Sequence, residues 1–470
     1  GGRNKEQHLL QHLLQDPEIR CIVITGPAGT GKAQPLDASV LTNQGWKDMG
    51  DIHPGDKVAA PDGTFSTVLD TFPQGEKEVY EVHFSDGSST QCTQDHLWQT
   101  QKEWEKHKKR TGSVKTLKEI QRTQSTNRGR NNHFIPTTEP IDFPEKELPL
   151  DPYLLGILIG DGSLKDNLRI SSGDDYIIDK CQKRLPNSCS LKHVQNCDYD
   201  IIYEGLRGSV TYGYKATDLD TGETTTCREI QEAREDGYTK HIQKAARLGI
   251  PHDNKKWERF ENDIDSRNPV RDALSKNGLK GTTSGDKYIP SRYLEGSVDQ
   301  RLSLLRGLMD ADGTIESDGK HVYLTTISPD LRDDFTQLVQ SLGGTTSVNE
   351  KTPTYTYKGD TKEGQKSYNI AVCLPPDINP FSLPRKQRKV SPKSKYKPSR
   401  SIENIEYVGK KESQCIKVDR EDGLYITDDY IVTHNTTVAG AYALEQMWQG
   451  EFDELYLSKP LEIVTNTRYW

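Results

Sequence analysis

The sequence predicts a multidomain protein in which an all-β domain is split by an inserted α+β domain, with α/β fragments flanking both ends. Three observations predict this organisation. A glycine-rich loop motif is interrupted and continues far along the chain. Short strands with Gly, Asp and Pro turns follow the first break and precede the second. Two similar stretches occur in the interior. The 470 residues leave room for about three domains.

The broken loop reads GPAGTGK at residues 26–32 and follows an apolar run typical of a strand. A phosphate loop of the form GxxxxGK needs Ser or Thr next, but Ala33 stands there. Deleting residues 33–435 joins the loop to the Thr-Thr pair at 436–437 and gives GPAGTGKTT. The simplest interpretation is that one protein is interrupted by another that can excise itself.

Changes in composition mark the domain limits. The predicted parts are α/β fragments at 1–32 and 436–470, a β domain formed by 33–135 and 384–435, and an α+β domain at 136–383 with a small extra module at about 207–260. The polar, basic stretches 101–135 and 384–400 are predicted to be linkers.

Composition restricts the location and partners of the protein. The eight cysteines form no CxxC pair, which favours reduced thiols over disulfides or zinc. No apolar run approaches the roughly 20 residues of a membrane span, and no signal peptide is recognised. A cytoplasmic location, with no membrane partner, is therefore expected. Because the net charge is −8, a nucleic acid would have to be bound by local basic surfaces.

The residues at the second break can cleave a peptide bond without a cofactor. The side-chain amide of Asn435 can attack its own carbonyl carbon, form a succinimide and release the next residue. The adjacent His434 can assist the proton transfers. The Thr436 hydroxyl can hold the upstream segment as an ester until it shifts to the amine.

These residues resemble an intein. Residues 423–435 resemble the C-terminal block of that family, and Thr93 and His96 resemble its TxxH element, in which both polarise the upstream scissile bond. The resemblance extends over 33–435 and implies a Hint (hedgehog/intein) fold and intramolecular splicing without a cofactor. The implied splice junctions are Lys32–Ala33 and Asn435–Thr436.

Ala33 departs from the usual pattern, because most inteins begin with a Cys or Ser nucleophile. Class 3 inteins instead combine a Trp two residues after the TxxH His, a Cys in the penultimate β block and a Ser or Thr after the last Asn. Trp98, Cys415 and Thr436 match these positions, so Cys415 would attack the Lys32 carbonyl carbon. The alternative is a class 1 intein in which Ala33 replaces an original cysteine and stops splicing. The three coincident matches favour the first interpretation.

Two interior stretches, 154–162 and 305–313, place small residues four apart, so that two helices can pack closely. Both helices end near an acidic residue, Asp161 or Asp312, and close packing would bring the two carboxylates together. The pair resembles the motifs of LAGLIDADG homing endonucleases. That resemblance implies two αββαββα halves, Mg²⁺ held by both carboxylates, and cleavage of double-stranded DNA at the host-gene site that lacks the intein.

Other residues of this domain are assigned from the same resemblance. Lys287 resembles the lysine of a K-x-I-P element that could stabilise charge during phosphodiester hydrolysis, and Asp310 is expected to be structural, as a helix cap. Strands at 167–172 and 322–326 are expected to read base edges. The basic runs 106–110 and 385–397 are candidate phosphate contacts, with solvated linker as the alternative, and the module at 207–260 is a candidate accessory DNA reader.

The flanks resemble a PhoH-like ATPase of a bacterial or phage-infected cell. After ligation the rejoined loop would bind ATP and Mg²⁺. The residues implied are Gly26, Gly29, Gly31, Lys32 and Thr436. Two further alternatives stay open: an ATPase with an inert insert, and a splicing-dead chain in which only the nuclease works.

Overall fold

The computed structural model describes residues 32–434, except 109, 111, 127, 166, 204–210, 219–223, 231–254, 263–267, 353, 358–359 and 392–395. The predictions for Gly26, Gly29, Gly31, Asn435 and Thr436 therefore lie outside the described residues.

The first part of the chain is mostly strands. They are β1 (Gln34–Pro35), β2 (Ser39–Thr42), β3 (Gly45–Asp48), β4 (Lys57–Ala59), β5 (Phe65–Phe84), β6 (Ser89–Thr93), β7 (Leu97–Thr100), β8 (Ser113–Thr116) and β9 (Phe134–Pro136). Two short helices, α1 (Glu103–His107) and α2 (Leu117–Arg122), lie in this part. The prediction of a linker at 101–135 is wrong, because Leu117, Ile120 and Ile135 are fully buried and tie this stretch to the core.

The middle of the chain contains two halves with the same order of elements. The first half is α3 (Pro152–Asp161), β10 (Gly162–Ser163), β11 (Arg169–Ser171), α4 (Asp175–Gln182), β12 (Cys189–Gln195), β13 (Asp198–Tyr203), the strands β14 (Thr211–Asp218), β15 (Thr224–Ile230) and β16 (Lys255–Asn262) of a separate small sheet, and α5 (Pro269–Lys276). The short helix α6 (Ser291–Leu294) follows.

The second half is α7 (Val298–Ala311), β17 (Gly313–Ile315), β18 (Val322–Thr326), α8 (Pro329–Ser341), β19 (Thr345–Lys351), a hairpin of β20 (Thr354–Tyr357) and β21 (Asp360–Glu363), β22 (Ser367–Cys373) and α9 (Pro384–Gln387). Apart from the small sheet and the hairpin, both halves follow the order αββαββα. Their four-stranded sheets also have matching strand orders, β10-β11-β13-β12 and β17-β18-β22-β19.

The last strands are β23 (Ser399–Val418), β24 (Leu424–Thr427) and β25 (Ile431–His434). Strands β5 and β23, each of 20 residues, pair antiparallel along their length, and β24 and β25 join the same sheet. Segments from both sides of the α+β domain therefore form one β domain within the described part of the chain.

The helices α3 and α7 cross at the centre of the α+β domain. A Cβ atom at Gly156 would lie 2.6 Å from the Leu304 carbonyl oxygen and 2.9 Å from the Gly307 Cα atom. The two backbones can approach this closely only because both positions are glycine. Among the residues that the structure describes, every helix is too short or too polar to span a lipid bilayer.

Candidate functional site

The upstream junction is buried against β6. The Ala33 backbone N–H donates to the Thr93 hydroxyl oxygen at 3.1 Å, and the Thr93 backbone N–H donates to the Ala33 carbonyl oxygen at 2.9 Å. Ala33 is 1% exposed. Thr93 thus contacts the nitrogen of the Lys32–Ala33 peptide bond directly and fixes the plane of that amide.

The pairing of β1 with β23 brings Cys415 to the same junction. Gln34 pairs with Gln414 and Pro35 with Ser413 in antiparallel register. Ala33 precedes the strand, and extending the register by one residue sets it opposite Cys415. Cα atoms of such partners are about 4.5–5.5 Å apart. The Cys415 side chain is buried, and its thiol donates to the Ile416 carbonyl oxygen at 3.6 Å.

His96 lies near both Lys32 and His434. Its ring is buried, and Nε2 is hydrogen bonded to the Thr433 hydroxyl. Nδ1 has no hydrogen-bond partner among the described residues. Burial, together with the nearby His434 and Lys32 side chains, lowers the pKa of His96 to about 3. The imidazole is therefore neutral at ordinary pH.

Trp98 packs beside this histidine. Its indole is fully buried and meets the His96 ring edge-on, with ring centroids 5.6 Å apart. Phe84 lies on the indole as well, at 6.0 Å between centroids. Trp98 therefore limits the rotation of the imidazole and belongs to the hydrophobic core of the β domain.

The downstream junction begins at the same place. β25 ends at His434, which is buried and pairs with Leu97 of β7, the residue after His96. The last described residue, His434, thus lies beside His96 and immediately precedes Asn435 in the sequence.

In the α+β domain, the C-terminal ends of α3 and α7 bring Asp161 and Asp312 together. The two carboxyl groups are close enough for each to affect the ionisation of the other. Burial raises the pKa of both groups, and with Asp161 alongside, the pKa of Asp312 reaches about 6. Ionising both of two buried carboxylates this close is unfavourable, and a nearby cation offsets that cost.

Two buried lysines cap the same helix ends. The Lys287 ammonium donates to the carbonyl oxygens of Gly160 at 3.0 Å and Gly162 at 2.9 Å. In the second half, the Lys386 ammonium donates to the carbonyl oxygens of Asp310 at 2.8 Å and Gly313 at 2.7 Å. Both ammonium groups lower the pKa of Asp312 against the effect of burial.

Sequence reasoning missed Lys386, which it had placed among candidate phosphate contacts. The prediction of a linker at 384–400 is wrong at its start, where α9 carries this buried lysine inward. The two lysines occupy equivalent positions in the sequence, which could have identified Lys386. Lys386 follows the last strand of the second half, as Lys287 follows the strands of the first half.

Asp310 supports this arrangement from the helix interior. It is 2% exposed and accepts hydrogen bonds from the Tyr153 hydroxyl at 2.8 Å, the Ser382 backbone N–H at 3.0 Å and the Leu383 backbone N–H at 2.9 Å. It therefore holds the segment that leads into α9 and so fixes Lys386.

Several predicted DNA contacts are engaged within the chain. Lys106 donates to the Ser399 hydroxyl at 2.6 Å, Arg385 forms a two-pronged ion pair with Asp174, and Lys397 pairs with Glu139. The strand predicted at 322–326 is β18, and the one predicted at 167–172 is shorter, β11. The module predicted at about 207–260 coincides with the sheet of β14, β15 and β16.

Comparison with known proteins finds one family model. The model of a LAGLIDADG-like domain matches residues 299–369, from α7 to within β22. Replicative DNA helicase DnaB of Mycobacterium intracellulare is 24% identical over 439 residues, which are 89% of this chain. Replicative DNA helicase DnaB of Mycobacterium leprae (strain TN) is 35% identical over 80 residues, 17% of this chain. The chain spans 61% and 13% of the lengths of these two proteins.

Solved structures give partial matches with low overall superposition. The gp41-1 intein is 25% identical, with 22% of this chain and 75% of that chain covered and a TM-score of 0.17. The Msm DnaB1 intein splicing domain bound with zinc is 30% identical, with coverages of 18% and 60% and a TM-score of 0.15. I-DMOI in complex with its target DNA in the presence of Mn is 11% identical, with coverages of 51% and 92% and a TM-score of 0.24.

The chain therefore contains a LAGLIDADG-like domain and has intein splicing domains among its structural neighbours. Both curated relatives carry the name of a DnaB helicase, so they give no support to the prediction of a PhoH-like host.

Proposed function

We propose that residues 33–435 splice themselves out of the chain and join Lys32 to Thr436, with Cys415 as the first nucleophile. The observation that carries this proposal is the register that puts Ala33 opposite Cys415. An alanine at the junction offers no nucleophile of its own, whereas a thiol on the neighbouring strand does. The same register disfavours the interpretation of Ala33 as a replaced cysteine, because the site needs no nucleophile at that position.

The reaction begins with acyl transfer to sulfur. The Cys415 thiol gives up its proton and attacks the Lys32 carbonyl carbon. The bond to the Ala33 nitrogen breaks, and that nitrogen takes up a proton. The product is a branched chain in which residues 1–32 are held as a thioester on Cys415, with Ala33 as a free amine.

The remaining steps involve the downstream junction. The Thr436 hydroxyl attacks the thioester, which returns the thiol and leaves residues 1–32 as an ester. The Asn435 side-chain nitrogen attacks its own carbonyl carbon, which forms a succinimide and frees the Thr436 amine. That amine attacks the ester, and an amide between Lys32 and Thr436 results.

His96 supplies a proton at the upstream junction. If the Thr433 hydroxyl donates to Nε2, the proton of the neutral ring resides on Nδ1. Nδ1 has no hydrogen-bond partner in the described structure, and the Lys32 side chain is close enough to affect the ring. Nδ1–H is thus available to the departing Ala33 nitrogen, and Trp98 keeps the ring in place.

Intact mass after expression tests this proposal. The parent chain should give a ligated species that lacks residues 33–435, and the Cys415→Ala variant should give none. Ligated product from Cys415→Ala at the parental level would overturn the role of Cys415. Full-length parent chain that stays intact under reducing conditions would favour the alternative in which only the nuclease works.

We also propose that the α+β domain cleaves double-stranded DNA at the host-gene site that lacks the insert. The adjacent carboxyl groups of Asp161 and Asp312 fit a divalent cation such as Mg²⁺, which would offset the repulsion between their charges. When bound, that ion supplies positive charge to the scissile phosphates. Lys287 and Lys386 keep the two helix ends and their carboxylates in position.

For the flanks we propose that ligation restores a phosphate loop that binds ATP and Mg²⁺ in the cytoplasm. The restored sequence GPAGTGKTT supports this proposal, with the Thr436 hydroxyl as the ligand for Mg²⁺. ATP binding that appears only after splicing, measured on the parent and on Cys415→Ala, tests it.

A further inference from the structure

Gln34, the second residue of the excised segment, is a fully buried amide beside the upstream junction. It is 0% exposed, and a buried amide is costly unless its hydrogen-bonding groups are satisfied. The sequence offered no reason to single it out, because a lone glutamine next to a junction has no motif.

The amide of Gln34 is bound on every side. Its Oε1 atom accepts from the Tyr425 hydroxyl at 2.6 Å. Its Nε2 atom lies 3.1 Å from the Thr427 hydroxyl, 3.3 Å from the Thr90 hydroxyl and 3.4 Å from the Gln91 carbonyl oxygen. These partners come from β6 and β24, so one side chain links β1 to two other strands of the sheet.

This network continues to a carboxylate. The Thr90 hydroxyl donates to Asp428 Oδ2 at 2.6 Å, and the Ser39 backbone N–H donates to Asp428 Oδ1 at 2.7 Å. The Thr427 hydroxyl donates to the Ser39 carbonyl oxygen at 2.8 Å. The partners of Gln34 are therefore themselves held in place, which makes its position well defined.

The backbone of β1 specifies its register weakly. The strand has two residues, and one of them, Pro35, has no N–H to donate. A slip of one residue would move Ala33 away from Cys415 and turn the neighbouring side chains to the opposite face. A buried side chain that satisfies its hydrogen bonds in only one register can supply the specificity that this short ladder lacks.

We infer that Gln34 is a positioning residue for the first acyl transfer: its amide holds β1 in the register that sets the Lys32–Ala33 bond beside Cys415. The inference rests on the proposed splicing function. Because Ala33 has no functional side chain, the junction is fixed by the Thr93 backbone and hydroxyl on one side and by the adjacent Gln34 on the other.

The test follows the upstream reaction alone. In a chain with Asn435→Ala, which blocks downstream cleavage, dithiothreitol releases residues 1–32 from the Cys415 thioester at a rate that gels and mass spectrometry measure. Gln34→Leu should lower this rate on the order of tenfold or more. Tyr425→Phe, which removes one donor to Gln34, should lower it less. Neither variant should shift the pH midpoint of the reaction, because the nucleophile is unchanged.

Gln414 provides a matched control. It is also buried and lies on the neighbouring strand, but its amide nitrogen donates to the carbonyl oxygens of Met49 at 2.9 Å and Ile52 at 3.5 Å, away from the junction. Gln414→Leu should slow the upstream reaction less than Gln34→Leu. Downstream cleavage at Asn435, measured in a Cys415→Ala chain, should be nearly unaffected by Gln34→Leu.

Two results would overturn the inference. One is a parental upstream rate in both Gln34→Leu and Tyr425→Phe. The other is an equal loss of upstream and downstream reactions, which would mean that Gln34 only stabilises the fold. Release of residues 1–32 from a Cys415→Ala chain would instead refute the proposed nucleophile, and this outcome is read from a separate sample.

Discussion

Ala33 and Thr93 exchange two hydrogen bonds, one through the threonine hydroxyl and one through its backbone amide. The contact joins the first residue of the proposed insert to β6, while the next residue, Gln34, pairs with Gln414 of β23. The geometry of the upstream bond is therefore set by two neighbours in the fold that are distant in sequence.

Thr93→Val should slow splicing about tenfold or more, because a buried hydrogen bond of about 1 kcal/mol or more to the scissile amide is lost without a change in side-chain shape. The rate of ligated product formation, followed by gel after dilution from denaturant, measures it. Thr93→Ser keeps the hydroxyl and should retain most of the rate. Equal rates in all three proteins would mean that the hydroxyl has no part in the reaction.

His96 should make the folded state less stable in acid. Its folded pKa of about 3 lies below the ordinary value of 6.5, so the unfolded chain takes up the proton first as the pH falls. Stability is then lost between these two values, by up to about 1.4 kcal/mol per pH unit. Urea unfolding of a non-splicing Cys415→Ala, Asn435→Ala chain should show this loss, and His96→Asn should reduce it.

His53→Asn, at an exposed position, serves as the matched control. His96→Asn should change the pH dependence of the non-splicing chain more than this control does. Parallel stability curves for His96→Asn and its parent would show that the histidine is not buried in its neutral form.

Lys386→Met should lower the rate of DNA cleavage about a hundredfold or more. The reason is that the Lys386 ammonium caps α7 and stabilises the charged form of Asp312. Cleavage of a plasmid carrying the joined host-gene site, with Mg²⁺ present, measures it. Lys389→Met, at an exposed position of the same segment, should cleave normally. Splicing should be the same in both variants, so a loss of splicing in Lys386→Met would indicate a global defect instead.

Gly156→Ala should destabilise the α+β domain by about 1–3 kcal/mol, because the added methyl group meets backbone atoms that have little room to move. Its Cβ atom would lie 2.6 Å from the Leu304 carbonyl oxygen and 2.7 Å from the Leu308 nitrogen. Urea unfolding measures the change. Gly285→Ala is the control, since the nearest atom to its Cβ would be 3.9 Å away, and equal effects of the two substitutions would contradict close helix packing.

The sequence predicted the residues whose roles depend on local motifs. Thr93, His96, Asp161 and Asp312 were identified because each stands at a fixed spacing from its neighbours. The structure places Thr93 against Ala33, His96 against Thr433, and Asp161 near Asp312, and their roles stay predictions. Lys386 and Gln34 were missed because their roles depend on pairing between distant strands and helices, which no local spacing records.

The linkers were predicted wrongly for a related reason. The stretch at 101–135 is polar and basic, and its composition alone predicts exposure to solvent. Three apolar residues, Leu117, Ile120 and Ile135, are enough to bury it against the β domain. Their contribution to burying this stretch can be recognised only when the surface that they cover is known.

The pairing of Gln34 with Gln414 also determines when during protein synthesis the proposed reaction can begin. During synthesis the first of these residues leaves the ribosome long before the second, and Cys415 cannot reach the upstream bond until β23 has followed it. Translation through Cys415, including both halves of the α+β domain, must therefore precede the proposed acyl transfer to sulfur. The order of synthesis itself protects the nascent protein from being cut before its ends can be joined.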